Sequence, residues 1–408
     1  MEGSEMQNAF RRVLKVISPW RIQEVKIYEK TRVVDVYIDY EDKSKFACIE
    51  CGKICTVHDG SYRRWRYLDF FDYRCYLNIK VPRTKCETDG VRIISKTPWG
   101  RLGSHYSYLL EAKVMQLSAE MTMSGLSRYL GEPDSNLWRV FKFYVNKAIL
   151  NQLDLSQVKR IAVDEKSQKR GHIYVSIFTD LDTGNVILVK EGRKKEVFSE
   201  LKQWLIEKNG LPQNIELFSM DMSVSYKAGR AEYFPHSEEV FDRFHIKKAL
   251  NEAVDSVRKQ EAKHSDELKN TKYWWLKSPD KLTEYQKDKL NDFLRESTTK
   301  TAIAYQMKTG FDQLWQVHPN SAEPLLNNWL ENTLKSGYEP FERFVKTVKN
   351  NFKGILKSIK TGINNAIAEG INSKIQMAKS RARGFRNMDN FNPTCSHLNN
   401  SQLFFSFF

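Results

Sequence analysis

Several features are scarce in this 408-residue chain, and each absence narrows its function. No run of about 18 apolar residues occurs, so no segment reads as a membrane-spanning helix. The opening MEGSEMQNAFRRVLKVISPW is broken by charge every few positions and lacks the apolar centre of an export signal, which predicts a cytoplasmic protein. Six cysteines are too few for a disulfide scaffold. Internal repeats and long low-complexity linkers are missing too, which argues against a solenoid. What is present is enough apolar residue to build cores: 41% hydrophobic and 12% aromatic, so global disorder is excluded. Lys and Arg number 65 against 50 Asp and Glu, a formal charge of +15. Such an excess implies an anionic partner, most often nucleic acid.

The chain changes texture along its length. Up to residue 103 it reads as short strands and turns, with apolar and polar residues alternating in RVVDVYIDY and CYLNIKVPR. Helical periodicity follows to about residue 155, broken by Gly131 and Pro133. Residues 156–258 read as three strands, a helix, then alternating strand and helix, which predicts a mixed α/β sheet. From 259 to 391 the sequence is helical and polar, with an aromatic stretch TKYWWLK and a basic run from Arg343 to Lys360. The last stretch, 392–408, has no period and ends LFFSFF.

All cysteines except Cys395 fall in the first zone. Cys48-Ile-Glu-Cys51-Gly is a knuckle whose two thiolates suit one tetrahedral zinc, with a glycine to permit the tight turn. Cys86-Glu-Thr-Asp89-Gly has the same outline with a carboxylate in the fourth place. Cys48, Cys51, Cys86 and Asp89 could therefore close a structural zinc site, while Cys55, His58 and Cys75 compete as ligands. Between the knuckles runs Tyr62-Arg63-Arg64-Trp65-Arg66-Tyr67. Here Arg63, Arg64 and Arg66 would meet phosphate and the aromatics could stack, unless the stretch is an ordinary strand with Trp65 packed beneath it.

Met123–Leu130, Gly131 and Asp134–Val145 have the length of a helix-turn-helix. Its second helix would offer Ser135, Asn136, Arg139 and Lys142 to a DNA groove and turn Leu137, Val140, Phe141 and Val145 inward. Three acidic residues then stand out. Asp164 closes the strand RIAVD, Asp221 closes NIELFSMD, and Glu369 lies on the polar face of a late helix, spaced 57 and 148 residues apart. Two strand-end carboxylates and a third on a returning helix can hold two hard cations, which take oxygen ligands. The plainer alternatives are turn caps for the aspartates and a solvated helix face for Glu369.

In their order along the chain, CIECG…VHDGSYRRWRYLD, VPRTKC…DGV, KTPWGRLGSHYS, IAVDEKS, FSMDMSVSY, FDRFHIKKALNEAVDSVRK and AEGINSKIQMAKSRARGFRNMDNF resemble one family. It is that of bacterial insertion-sequence DDE transposases with an N-terminal zinc ribbon and helix-turn-helix, over about residues 40–391. The resemblance implies a multidomain α/β protein. Residues 1–103 would be a small zinc-ribbon-like β domain and 104–155 a helix-turn-helix. A ribonuclease-H-like mixed sheet would begin over 156–258, be interrupted by an all-helical insertion at 259–358, and finish in a helix at 359–391, leaving 392–408 as an atypical tail. By motif match the catalytic Mg²⁺ (or Mn²⁺) ligands are Asp164, Asp221 and Glu369, with Asp242 and His245 of DRFH as active-site support. Lys374, Lys379, Arg381 and Arg383 would hold DNA backbone.

The resemblance further implies binding of terminal inverted repeats by the N-terminal part, hydrolysis of a strand at the element end, and joining of the freed 3′-hydroxyl to target DNA. A homodimer would pair two ends, in a cytoplasmic, nucleoid-associated setting. Asp89, where Cys or His is usual, and the tail PTCSHLNNSQLFFSFF depart from the family pattern. Two rival readings are a ribonuclease-H-like nuclease or resolvase, which would not need the N-terminal 150 residues, and a domesticated or inactive copy acting as a DNA-binding regulator.

Overall fold

The computed structural model describes residues 2–94, 97–151, 153–169, 173–277, 281–296, 299–363 and 370. Two compact units divide the chain between Asn151 and Gln152.

The first unit opens with helix α1 (Glu2–Val13), then builds a six-stranded sheet from β1 (Trp20–Tyr28), β2 (Val33–Tyr40), β3 (Lys45–Ala47), β4 (Ile54–Arg66), β5 (Arg74–Cys86) and β6 (Gly90–Ile93). The order is β1-β2-β5-β4-β3, with β6 on β5. Alternation in β2 and β5 sends Val34, Val36, Ile38, Leu77, Ile79 and Val81 into one core with Trp65, Trp20 and Trp99. The Trp99 indole donates to the Leu14 carbonyl at 2.8 Å, tying the end of α1 to this core. Sequence patterning did not predict α1, because EGSEMQNAFRRV carries charge or amide at half of its positions.

Three helices complete this unit: α2 (Tyr108–Ser118), α3 (Met123–Leu130) and α4 (Asp134–Asn151). Ser107 and Thr122 cap the first two through side-chain oxygens. Gly131 ends α3 in the left-handed region at φ +64°, which allows the sharp turn into α4. Leu137, Val140, Phe141 and Val145 are at most 2% exposed, as their spacing predicts. Burial of such side chains contributes roughly 1.5–3 kcal/mol each. Beneath them Glu111, fully buried, accepts from Ser104 Oγ at 2.5 Å and Tyr144 Oη at 2.6 Å and pairs with Arg101 at 3.0 Å.

The second unit holds a five-stranded sheet: β7 (Arg160–Lys169), β8 (Ile173–Asp180), β9 (Val186–Glu191), β10 (Leu217–Met220) and β11 (Glu238–Phe241). Its order is β11-β10-β7-β8-β9. β7, β8 and β9 form an antiparallel meander, and β10 and β11 run parallel to β7. Helices α5 (Glu196–Glu207) and α6 (Val224–Tyr233) supply Phe198, Leu201, Leu205 and Tyr226 to its main core. Asp180 and Asp182 lie at the β8–β9 hairpin, where Asp180 accepts from the Asp182 amide and Thr183 hydroxyl. β7 runs five residues past Asp164, where its sequence turns polar, because β8 continues to pair with it through Lys169. RIAVD is therefore the first half of a longer strand.

After β11 the unit is helical: α7 (Arg243–Glu261), α8 (Lys272–Leu276), α9 (Glu284–Glu296), α10 (Lys300–Gln313), α11 (Pro319–Lys335), α12 (Glu339–Asn350) and α13 (Phe352–Thr361). Trp275, from TKYWWLK, is fully buried. Lys308 of α10 is buried with its ammonium on the Trp275 and Leu276 carbonyls at 2.8 and 3.1 Å, satisfying the end of α8. α13 packs against β11, and Gly354 sets the approach, since a Cβ there would meet the Phe241 ring at 2.6 Å. None of the described helices is long and apolar enough to cross a membrane.

Candidate active site and cysteine cluster

The register of the parallel strands decides where the aspartates go. Leu217 pairs with Arg160, Phe218 with Ile161 and Ser219 with Ala162, a constant offset of 57 residues. Asp221 and Asp164 are separated by that same offset, so this register carried two residues further sets them side by side. The neighbouring pair repeats the arrangement. Met220 pairs with Phe241, and the Asp242 amide donates to the Met220 carbonyl at 2.9 Å, which levels Asp242 with Asp221. Three carboxylates thus come to one level and one face, just past the carboxyl ends of β10 and β11, where open α/β sheets bind ligands, and midway along β7.

The same face carries Ala162, Leu217 and Val240, and Ile363 packs against them just after α13. Glu369 lies outside the described residues, as do Lys374, Lys379, Arg381 and Arg383.

Local geometry holds the aspartates in place. The Asp164 carboxylate accepts from the Glu165 amide at 2.7 Å, and Asp221 accepts from the Ser223 amide at 2.8 Å, opening α6. Asp242 caps α7 by accepting from the Phe244 amide at 3.0 Å, and its other oxygen is 4.0 Å from His245 Nε2. Asp242 is 6% exposed, whereas Asp164 and Asp221 are half-buried and open to a ligand. Behind the sheet, in the main core on the face opposite the aspartates, lies Tyr226, which sequence reasoning did not single out. Its hydroxyl bonds Ser176 Oγ at 2.7 Å. Burial pushes the phenol above its ordinary range, and the negative charges of Glu165, Asp221 and Asp164 push it the same way. The donor set is all oxygen, which fits Mg²⁺ or Mn²⁺ rather than a thiophilic metal.

In the first unit Cys48, Cys51, Cys86 and Asp89 converge, with all ligand atoms within 4.8 Å of one another. Cys51 and Cys86 sulfurs lie 3.5 Å apart, and an Asp89 oxygen lies 3.4 Å from the Cys48 and Cys86 sulfurs. Zinc–sulfur bonds of about 2.3 Å would span tetrahedral edges of roughly 3.8 Å, so the cage fits one such ion with little adjustment. Gly52 and Gly90 adopt φ +73° and +72°, as the two knuckle turns require. The competing candidates lie outside the four-residue cage, although the Cys55 thiol interacts with Cys86 at its edge. Cys75 sits in the sheet core, where burial pushes its thiol up to about 12. Cys55 turns to the Lys53 carbonyl at 3.4 Å, and His58 is exposed.

The candidate DNA-contacting side chains divide. Arg63 and Arg139 are exposed, and Asn136 and Lys142 are half-buried on one face of α4. Arg64 is exposed, although it pairs with Asp35 at 2.9 Å and stacks 3.8 Å from the Tyr76 ring. Arg66 is a correction. It is 4% exposed, ion-pairs with Asp69 and Glu132, and donates to the Tyr67 and Cys75 carbonyls, so it braces the sheet against the α3–α4 turn and is not available to phosphate. Trp65, 1% exposed, is a core residue.

Residues 161–394, more than half of the chain, match a family model described as transposase of the ISL3 group. The chain belongs to this transposase family. Two further models of the same group match the first unit: a zinc finger of IS204/IS1001/IS1096/IS1165 transposases over 44–89, and a helix-turn-helix domain of ISL3 transposases over 95–145. The zinc-finger match ends on Asp89 and encloses the four clustered ligands. The helix-turn-helix match covers α2, α3 and the first two-thirds of α4. Among curated relatives, the transposase for insertion sequence element IS1001 of Bordetella parapertussis is 26% identical, covering 93% of this chain and 96% of its own length. The transposase for IS1557 of Mycobacterium tuberculosis is 21% identical, covering 83% and 82%. An ISL3 transposase with a zinc-ribbon-like region, a helix-turn-helix and a mixed-sheet unit agrees with the fold expected from sequence.

Proposed function

We propose that this ISL3 transposase cuts and joins DNA at a two-cation site built on Asp164, Asp221 and Glu369, and that its first unit recognises the terminal inverted repeats. The observation that carries the catalytic reading is the shared level of Asp164, Asp221 and Asp242 on one sheet face. A strand order of 3-2-1-4-5 in sequence terms, with only the last two strands parallel to the first, supports a ribonuclease-H-like core. Ile363 on the same face supports delivery of Glu369 to it, six residues later.

In this reading Asp164, Asp221 and Glu369 are the residues that would hold the cations. When bound, two hard divalent cations supply activation of the attacking oxygen and stabilisation of the leaving oxygen. Asp242 and His245 act as support, with Asp242 fixing the start of α7 and the imidazole 4.0 Å from its second oxygen. Water first breaks the P–O bond at the element end and releases a 3′-hydroxyl. That hydroxyl then displaces a 3′-oxygen from the target phosphodiester in line, with no covalent enzyme intermediate. Arg63, Arg64, Arg139, Lys142, Lys374, Lys379, Arg381 and Arg383 offset backbone charge without carrying sequence information. Cys48, Cys51, Cys86 and Asp89 hold a structural zinc, and a homodimer pairs the two ends. Domains divide at 103, 155, 258, 358 and 391, with the helical insertion between β-sheet and final helix.

A strand-transfer assay with Mg²⁺ on duplexes carrying the element's own ends tests this. Cleavage and joining by the wild type, lost in Asp164→Asn, is the expected result. Binding without any cutting would favour the regulator reading, and cutting of branched DNA without joining would favour a resolvase.

A further inference from the structure

β4 and β5 are joined by Tyr67-Leu68-Asp69-Phe70-Phe71-Asp72-Tyr73, and the tip of this hairpin is built against local preference. Phe70 and Tyr73 exchange backbone hydrogen bonds at 2.9 and 3.0 Å, so Phe71 and Asp72 are the central residues of a two-residue turn. Phe71 has φ +55°, and Asp72 is not in the left-handed region. That is the position at which such turns favour glycine. A bulky side chain there is an outlier that needs a cause. Packing does not supply one, because Phe71 is 87% exposed. Yet the tip is braced: Phe70 packs on the buried Phe10 ring at 5.1 Å, and the Phe71 ring stands edge-on to Phe70 at 5.0 Å.

The surroundings point to one kind of partner. The adjacent Arg74 lies directly over Gly131, the turn between α3 and α4, so closely that a Cβ on Gly131 would collide with its guanidinium. Arg66 ties the same turn from below through Glu132. The two acids of the loop are already engaged, Asp69 by Arg66 and Asp72 by Arg32 at 2.7 Å. What the tip presents is an aromatic ring flanked by Arg32 and Arg74, beside a helix-turn-helix. Arginines suit phosphates, and rigid apolar side chains presented this way enter base steps and unstack them.

We propose that Phe71 is a wedge that inserts between base pairs of the duplex held by the helix-turn-helix, bending it at the element end. This rests on the reading of the first unit as the DNA-binding part. The test uses the full-length protein and duplexes of about 30 base pairs tiling the DNA that flanks its reading frame, with 2-aminopurine placed at successive positions. Wild type should raise fluorescence at one base step. Phe71→Gly should lose that signal and bind about tenfold more weakly. It should also melt a few degrees higher, because glycine accepts the turn without strain. Phe71→Trp should keep both signal and affinity. Wild-type affinity and an unchanged fluorescent step in Phe71→Gly would overturn the wedge and leave the DNA-binding reading standing. A shift in sedimentation of Phe71→Gly with unaltered DNA binding would overturn it in favour of a contact between copies of the chain. If wild type binds none of the duplexes, the wedge and the underlying reading fall together.

Discussion

In the first unit the carboxylate of Glu111 is shut away among Ser104, Tyr144 and Arg101, and the guanidinium of Arg66 among Asp69, Glu132 and two carbonyls. In the second, Asp164 midway along β7 and Asp221 just past β10 stand half-buried, accepting from neighbouring backbone amides. Ionised groups serve opposite purposes in the two places. Glu111 and Arg66 have their bonding capacity filled by partners from several elements, so they fix architecture. Asp164 and Asp221 are oriented by backbone amides next to them in sequence and stay half-buried, within reach of a ligand. Whether a charged residue is structural or chemical is thus written in its partners, not in its burial alone.

The sharpest way to break this contrast is at the sheet. Asp164→Asn and Asp221→Asn should each lower Mg²⁺-dependent strand cleavage by at least about a thousandfold with little change in melting temperature. A loss of folding instead would make these aspartates structural, like Glu111. Next in size is the cysteine cage. Purified protein should carry one zinc per chain by elemental analysis, and Cys86→Ala should lose it and destabilise the first unit by several kcal/mol. Cys75→Ser should keep the metal, since Cys75 belongs to the core.

Glu111→Ala should cost about 3–5 kcal/mol in denaturant unfolding of the first unit, because it strands Arg101 and Tyr144 in the interior. Metal-dependent activity per folded molecule should be untouched. Lys308 offers a pH handle on the second unit. Burial lowers its ammonium to about 8, below the ordinary 10.5. The unfolded chain therefore holds that proton more tightly, so the burden is full below about pH 8 and is relieved as pH rises toward 10.5. Stability should gain on the order of 3 kcal/mol across that window from this group, and Lys308→Met should remove that slope. The smallest effect expected is at Arg139, exposed on α4. Arg139→Ala should reduce the salt dependence of DNA binding by about one unit of log–log slope with no loss of stability, whereas Arg66→Ala should do the reverse.

Much of this was legible in the residues. Helical spacing alone turned Leu137, Val140, Phe141 and Val145 inward, and all four are buried. Apolar runs ending in Asp marked Asp164 and Asp221, and the 57-residue gap between them proved to be the register of their strands. That equality could not be read beforehand, since nothing local says which strands pair. Arg66 misled for a related reason: its partner Glu132 is distant in sequence, and an arginine within a basic run looks like any other until that partner is known. The end of β7 was misplaced because polar residues after Asp164 look like a loop, though pairing with β8 keeps them extended. α1 was missed because packing through Phe10 and Leu14, not composition, fixes it.

The register has a consequence for how such a site tolerates change. Loops between the strands set when each aspartate is reached in the chain, but the hydrogen-bond ladder alone sets where it stands. Insertions in the loops on either side of α5, between β9 and β10, should leave the aspartates where they are. A single deletion within Leu217–Met220, a strand of only four residues, would turn Asp221 to the opposite face and take it from its two neighbours. Drift in length among relatives should therefore collect between these short strands and stop abruptly at their borders.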